Sequence, residues 1–205
     1  MAYGVLALLF ALPLAAADIE NWSGVELELV STNRWILRTR GEIRTADAFR
    51  QVLNVRGIAD VRYSVAPKFS LVGRFDYVEG KTRIGWEEAS RVGGGFELPF
   101  RGESRTFTAR TFVEHNWLPR GQTYDRFRER FALRWTRVPL KPQVMAEVLA
   151  DSQGWAAMRP SFTVLVPVAQ YVELDMGYHF EFRPGRLGGN RQMVYTYLRF
   201  RRHPR

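Results

Sequence analysis

The sequence predicts an all-β protein: an antiparallel transmembrane β-barrel of ten strands, with twelve as the alternative. Two observations carry the prediction. The first is a period-two segregation of side chains. From Val172 to Arg183, the residues Val172, Leu174, Met176, Tyr178, Phe180 and Phe182 share one face of an extended strand. Glu173, Asp175, Gly177, His179, Glu181 and Arg183 share the other. The second is that this polar face carries charge in almost every segment, the pattern of a barrel with an apolar exterior and a polar lumen.

The elements follow in order. Trp35 to Arg44 sets Trp35, Leu37, Thr39, Gly41 and Ile43 against Ile36, Arg38, Arg40, Glu42 and Arg44. Gln51 to Val65 and Phe69 to Val78 obey the same rule, with Ile36, Ile58 and Val72 as apolar exceptions on the charged face. Arg83 to Leu98 alternates less cleanly around Gly93, Gly94 and Gly95. A phosphate-cradling loop needs a helix after it, whereas Phe96 and Leu98 continue a strand, so the glycines predict a bend or bulge. Thr106 to Trp117 and Tyr124 to Arg137 follow, the second with Arg126, Arg128, Arg130 and Arg134 on one face. Glu129 falls on the apolar face and is expected near the loop end of its strand, where a charge costs little. Val144 to Asp151, Ser161 to Val166, Tyr171 to Arg183 and Met193 to Phe200 complete the set.

Short proline-bearing connections at Val65 to Lys68, Arg137 to Pro142 and Pro167 to Gln170 read as periplasmic turns. Thr45 to Arg50, Leu118 to Thr123, Ser152 to Pro160 and Pro184 to Arg191 read as external loops. Pro99 to Arg105 is long for a turn. Counted from Trp35, ten strands place both chain ends in the periplasm. Gly24 to Val30 is a further candidate, either a strand of a twelve-stranded barrel with the Arg83 to Leu98 region split, or a piece packed at the barrel mouth.

The N-terminus bounds the compartment. Residues 1–17 carry no charge, and an apolar run from Val5 to Leu14 precedes Ala15 and Ala17, as in a secretory signal peptide. The run is shorter than the ~20 residues of a spanning helix, and residues 18–205 suit one domain built from strands. With no cysteine, disulfides, thiol catalysis and cysteine-based metal sites are excluded.

The net charge is +9, and Lys68, Lys81 and Lys141 are the only lysines among 30 basic residues. A nucleic-acid partner is not expected, because the chain is exported and its arginines alternate in strand phase with acids instead of forming a run. The expected partners are outer-membrane lipids, lipopolysaccharide phosphates for arginines at the rim, and the barrel-assembly machinery.

These features resemble the bacterial DUF2490 family of outer-membrane barrels of unknown function. The resemblance rests on Trp22, the Trp35 strand running into Glu42 and Arg44, Arg62 with Tyr63, the Arg126, Arg128, Arg130 ladder, Glu147, and Gly177 with Tyr178. It implies the barrel fold and an outer-membrane location, and no activity. The chain departs from the family in having His115 and Asn116 after Glu114, where an arginine is expected.

The residues expected to line the lumen are Arg38, Arg40, Glu42, Arg56, Arg62, Arg74, Arg110, Glu114, Arg126, Arg128, Arg130, Glu173, Asp175, His179 and Glu181, with Asp60 and Asp76. In a narrow barrel such side chains form a salt-bridged plug; the competing reading is a narrow anion-conducting or anion-binding lumen. A lipid-modifying hydrolase needs a serine beside His115 or His179, and spacing supplies none. A soluble periplasmic barrel with an apolar interior would turn the faces inside out. Asp175, His179 and Glu181 are too well matched by arginine to predict a metal site, and no cofactor is predicted. At the C-terminus, Phe200 is expected to be an interfacial aromatic, followed by a disordered, dispensable tail, residues 201–205.

Overall fold

The computed structural model describes residues 19–46, 49–82, 85–154, 156–183 and 190–202. The signal-peptide assignment, residues 1–17, lies outside them. Among the described residues the chain forms eleven strands: β1 (Ile19–Ser31), β2 (Trp35–Ala46), β3 (Gln51–Ala66), β4 (Phe69–Thr82), β5 (Gly85–Arg101), β6 (Arg105–Trp117), β7 (Thr123–Trp135), β8 (Gln143–Asp151), β9 (Ala156–Ala169), β10 (Val172–Glu181) and β11 (Arg191–Phe200). No helix among these residues is long and apolar enough to cross a membrane.

The sheet is a closed barrel in which each strand pairs with its sequence neighbours, and β1 closes against β11. That closing pair is parallel, from Ile19 opposite Gln192 to Leu27 opposite Phe200. Neither ten strands nor twelve is correct. The Gly24 to Val30 segment is a strand of the wall, and residues 85–98 of the Arg83 to Leu98 region remain one strand, β5, residues 83–84 lying outside the described residues. In a meander with an odd number of strands the first and last run in the same direction, so only a parallel pair can close it. For the same reason the start of β1 and the end of β11 lie at opposite ends of the barrel, which corrects the expectation that the first and last strands begin and end on one side.

Strands also run further than alternation suggests. β5 continues through Pro99 to Arg101, leaving only residues 102–104 as a turn, and β9 begins at Ala156 and carries Pro160 opposite Ala146. Loop length therefore separates the two ends less than the sequence implies: the connection 136–142 on the turn end is longer than 118–122 on the other.

The faces divide by chemistry. Leu71, Phe75, Val92, Phe127, Phe131 and Val148 on the outside are 43–49% exposed, while Asp76 and Glu114 inside are 0% exposed. A barrel with an apolar interior is thereby overturned. Ile36, Ile58 and Val72, the exceptions of the charged face, are buried inside it. Glu129 is not at a strand end: it sits at the midpoint of β7, on the outer face, where Thr111 Oγ1 donates to its Oε2 at 2.7 Å.

The glycine run makes neither a bend in register nor a bulge. Pairing of β5 with β4 and with β6 passes through Gly93, Gly94 and Gly95 without a shift. The physical requirement is close approach: a Cβ on Gly95 would lie 1.9 Å from the Thr111 carbonyl oxygen, and one on Gly93 would lie 2.4 Å from the Phe112 ring. Phe112 is buried inside the barrel, opposite Gly95.

Past Phe200 the chain is anchored, not loose. Arg201 is 8% exposed; its Nε donates to Glu173 at 2.7 Å, and its Nη1 donates to Glu26 at 3.2 Å and lies 3.6 Å from Glu28. Arg202 donates to the Leu29 carbonyl at 2.7 Å. The tail assignment is thus wrong for both residues, because three carboxylates contributed by β1 and β10 demand a cation at the seam. Residues 203–205 lie outside the described set.

Two outcomes are expected. Gly95→Ala should destabilise the barrel by about 1 to 3 kcal/mol through overpacking, whereas Gly57→Ala, whose Cβ meets nothing within 4 Å, should be nearly neutral; urea unfolding in detergent micelles compares them. Arg201→Ala should cost about 1 to 3 kcal/mol, because Glu173 Oε2 loses its hydrogen bond and Glu26 loses one of several cations. Unfolding midpoints unchanged in Arg201→Ala would refute the anchoring role.

The charged interior as candidate functional site

Inward-facing charges form a belt that passes through nine consecutive strands with alternating sign. Glu42 on β2 meets Arg56 on β3 at 3.4 Å, and Arg56 reaches Asp76 on β4. Asp76 meets Arg91 on β5 at 3.2 Å, and Arg91 lies 4.0 Å from Glu114 on β6. Glu114 takes Arg128 on β7 at 2.6 Å, Arg128 takes Glu147 on β8 at 2.7 Å, and Glu147 takes Arg159 on β9 at 3.0 Å. Arg159 pairs with Glu181 on β10, which also holds Arg183. Each acid is clamped by arginines from its neighbours. The arginine expected directly after Glu114 is thus replaced by Arg91 on β5 and Arg128 on β7.

A second cluster occupies the turn end beside the parallel seam. Glu26 lies 3.3 Å from Arg40, 3.7 Å from Arg199 and 3.9 Å from Arg38, and Arg38 lies 3.3 Å from Glu28. Arg199 pairs with Asp175, and Lys141 reaches Glu173 at 3.4 Å. Between the clusters, Arg74 makes paired hydrogen bonds of 2.7 and 3.0 Å to Asp60. Arg62 and Arg110 share Glu97 at 3.2 and 2.7 Å.

Aromatic rings fill the remaining space. Trp22 projects from β1 with the Arg44 guanidinium 3.6 Å above its ring and Arg159 at 5.9 Å. Tyr197 donates to Glu42 at 2.5 Å, and Arg126 donates to Tyr124 at 2.7 Å. The Tyr195 ring lies against Gly177, where a Cβ would come within 2.6 Å of it, and stacks on His179 with centroids 4.7 Å apart.

The expected interior residues are thus all drawn into these contacts except Arg130, which no carboxylate among the described residues approaches within 4.0 Å. Sequence reading left out Arg91, Arg159, Glu26, Glu28, Glu97 and Arg201. Arg91 and Glu97 were legible: counting glycine as neutral, Arg91, Gly93, Gly95 and Glu97 keep one phase. Arg159 was hidden in an assumed loop, and Glu26 and Glu28 in the segment left undecided.

Neither histidine sits in a hydrolytic arrangement. His179 Nδ1 does contact Ser161 Oγ, a partner that spacing did not reveal, but both are buried inside the barrel, and no carboxylate among the described residues hydrogen-bonds the ring. On the outer face, His115 Nδ1 lies 2.7 Å from Asp125 Oδ1, and Ser152 Oγ accepts from the Asp125 amide at 3.0 Å. The acid stands between serine and histidine, which come from strands two apart, about 10 Å; a triad needs the histidine in the middle. Asp175 and Glu181 are held by arginines, and no group of three metal-ligating side chains occurs among the described residues.

No protein-family model matches this chain, and no curated protein is significantly similar to it in sequence.

Proposed function

We propose that this protein is an outer-membrane β-barrel of structural type, its narrow interior closed by ion pairs. The observation that carries the reading is the alternating charge belt enclosed by an apolar wall. Buried charge inside and exposed aliphatic and aromatic side chains outside suit a lipid surround. Exposed aromatics edge that wall at both ends: Trp35, Phe100, Phe107 and Phe200 at the turn end, Tyr77, Trp86, Trp117 and Tyr178 at the loop end. From Phe107 to Trp117 the strand rises roughly 33 Å along its own axis, or about 25 Å for a typical tilt, the height of an outer-membrane apolar band.

The exposed aromatic Phe200 at the end of β11 supports a periplasmic turn end. Exposed Arg120 at the other end, 3.3 Å from Glu87, is then positioned for lipopolysaccharide phosphates. The barrel-assembly machinery is the expected folding partner, and the DUF2490 family remains the proposed kinship. A hydrolytic role gains no support from the serine and histidine geometry.

Two measurements test this. The protein should fractionate with outer membranes and migrate on gels in a heat-modifiable form, and Phe75→Arg, at mid-height on β4, should cost about 2 to 4 kcal/mol in bilayers; recovery in the soluble fraction would refute the location. Planar bilayers containing the folded protein should stay electrically silent. A steady anion-selective current, abolished when Arg126, Arg128 and Arg130 become glutamine, would replace the plug with a pore.

A further inference from the structure

Arg130 on β7 is an interior cation that no carboxylate among the described residues approaches within 4.0 Å, whereas Arg134 on the same face donates to Gln143 at 2.9 Å. Strand register sets Arg110 directly across from it on β6 and Glu147 directly across on β8. Glu147 is already committed, with Oε1 accepting from Arg128 at 2.7 Å and Oε2 from Arg159 at 3.0 Å. Arg110 turns away to Glu97 at 2.7 Å. Arg130 instead borders a small cavity with room for about one water-sized sphere. Its walls are Arg74, Arg110, Arg128, Arg130, Phe112 and Glu147.

Three of the four guanidiniums are answered by carboxylates, Arg74 by Asp60, Arg110 by Glu97 and Arg128 by Glu114 and Glu147, and Arg130 is left without one. Like charges opposed across a strand pair repel, and an interior charge without a counter-charge is strongly unfavourable. The cost falls if the cavity takes up a negative ion. Guanidinium N–H groups are suitable donors, and a cavity with room for about one water-sized sphere suits a small, monatomic anion.

We propose that this cavity binds a single monatomic anion, chloride in physiological media, with Arg130 as the residue that requires it. The proposal rests on the closed interior described above and is independent of where the barrel resides. Phe112 forms the apolar side of the chamber, and Gly93 leaves the space its ring occupies. The anion completes the belt locally by giving β7 a second counter-charge.

The test uses folded, detergent-solubilised protein. Thermal unfolding midpoints are measured in sodium chloride, bromide and gluconate at equal ionic strength, together with chloride-35 NMR line broadening. Chloride and bromide should raise the midpoint saturably above gluconate, and the folded protein should broaden the chloride line. Arg130→Met, which removes the unmatched charge, should abolish both effects while folding at least as well as the parent in gluconate. Equal midpoints in all three salts, an unbroadened line, or a halide effect that survives Arg130→Met would overturn the site. If Arg130→Met fails to fold, Arg110→Gln with the same two readouts decides: a weakened halide effect supports the site, and an unchanged one overturns it. A steady bilayer current would refute the closed interior instead, so the two failures are distinguishable.

Discussion

The constraint on which the rest depends is the alternation of charge from strand to strand around the inside of the barrel. A buried ion pair adds little net stability, because desolvation offsets most of the attraction. Its consequence here is register. Slipping any strand by one residue turns its charges outward and its aromatics inward. Slipping by two carries each charged side chain out of reach of the partners that now clamp it, as Glu114 is clamped by Arg128 and approached by Arg91. The outer face, mostly apolar side chains, offers no contacts as selective as these ion pairs for choosing one pairing.

The odd strand number shapes the closure. A parallel seam joins β1 to β11, and the turn end beside it holds the acids Glu26, Glu28 and Glu173. Arg201, one residue beyond the last strand, answers all three. Closure is therefore ionic as well as hydrogen-bonded, and Arg201, just past the last strand, takes part in it. Arg202, bonded to the Leu29 carbonyl, extends the same attachment along β1.

Interior packing is governed by glycine as much as by charge. Gly93, Gly95 and Gly177 sit where the Phe112 ring, a neighbouring carbonyl or the Tyr195 ring approaches too closely for a side chain. These rings, with Trp22 and Tyr197, occupy the space between ion pairs. The cavity beside Arg130 remains where four arginines converge and no carboxylate is free to fill it.

By itself the sequence determined the all-β class, the strand faces and the identity of most inward charges, because side-chain direction in a strand alternates with a period set by local geometry alone. It separated Glu173 from Leu174 and Arg128 from Phe127 before any contact was known. Only the tertiary structure decided how many strands close the barrel, since whether Gly24 to Val30 joins the wall depends on a partner some 170 residues away. The same holds for the pairing of Ser161 with His179, the burial of Arg201 and the isolation of Arg130. Each depends on which side chains distant strands bring within reach of one another, and alternation within one strand carries no information about that.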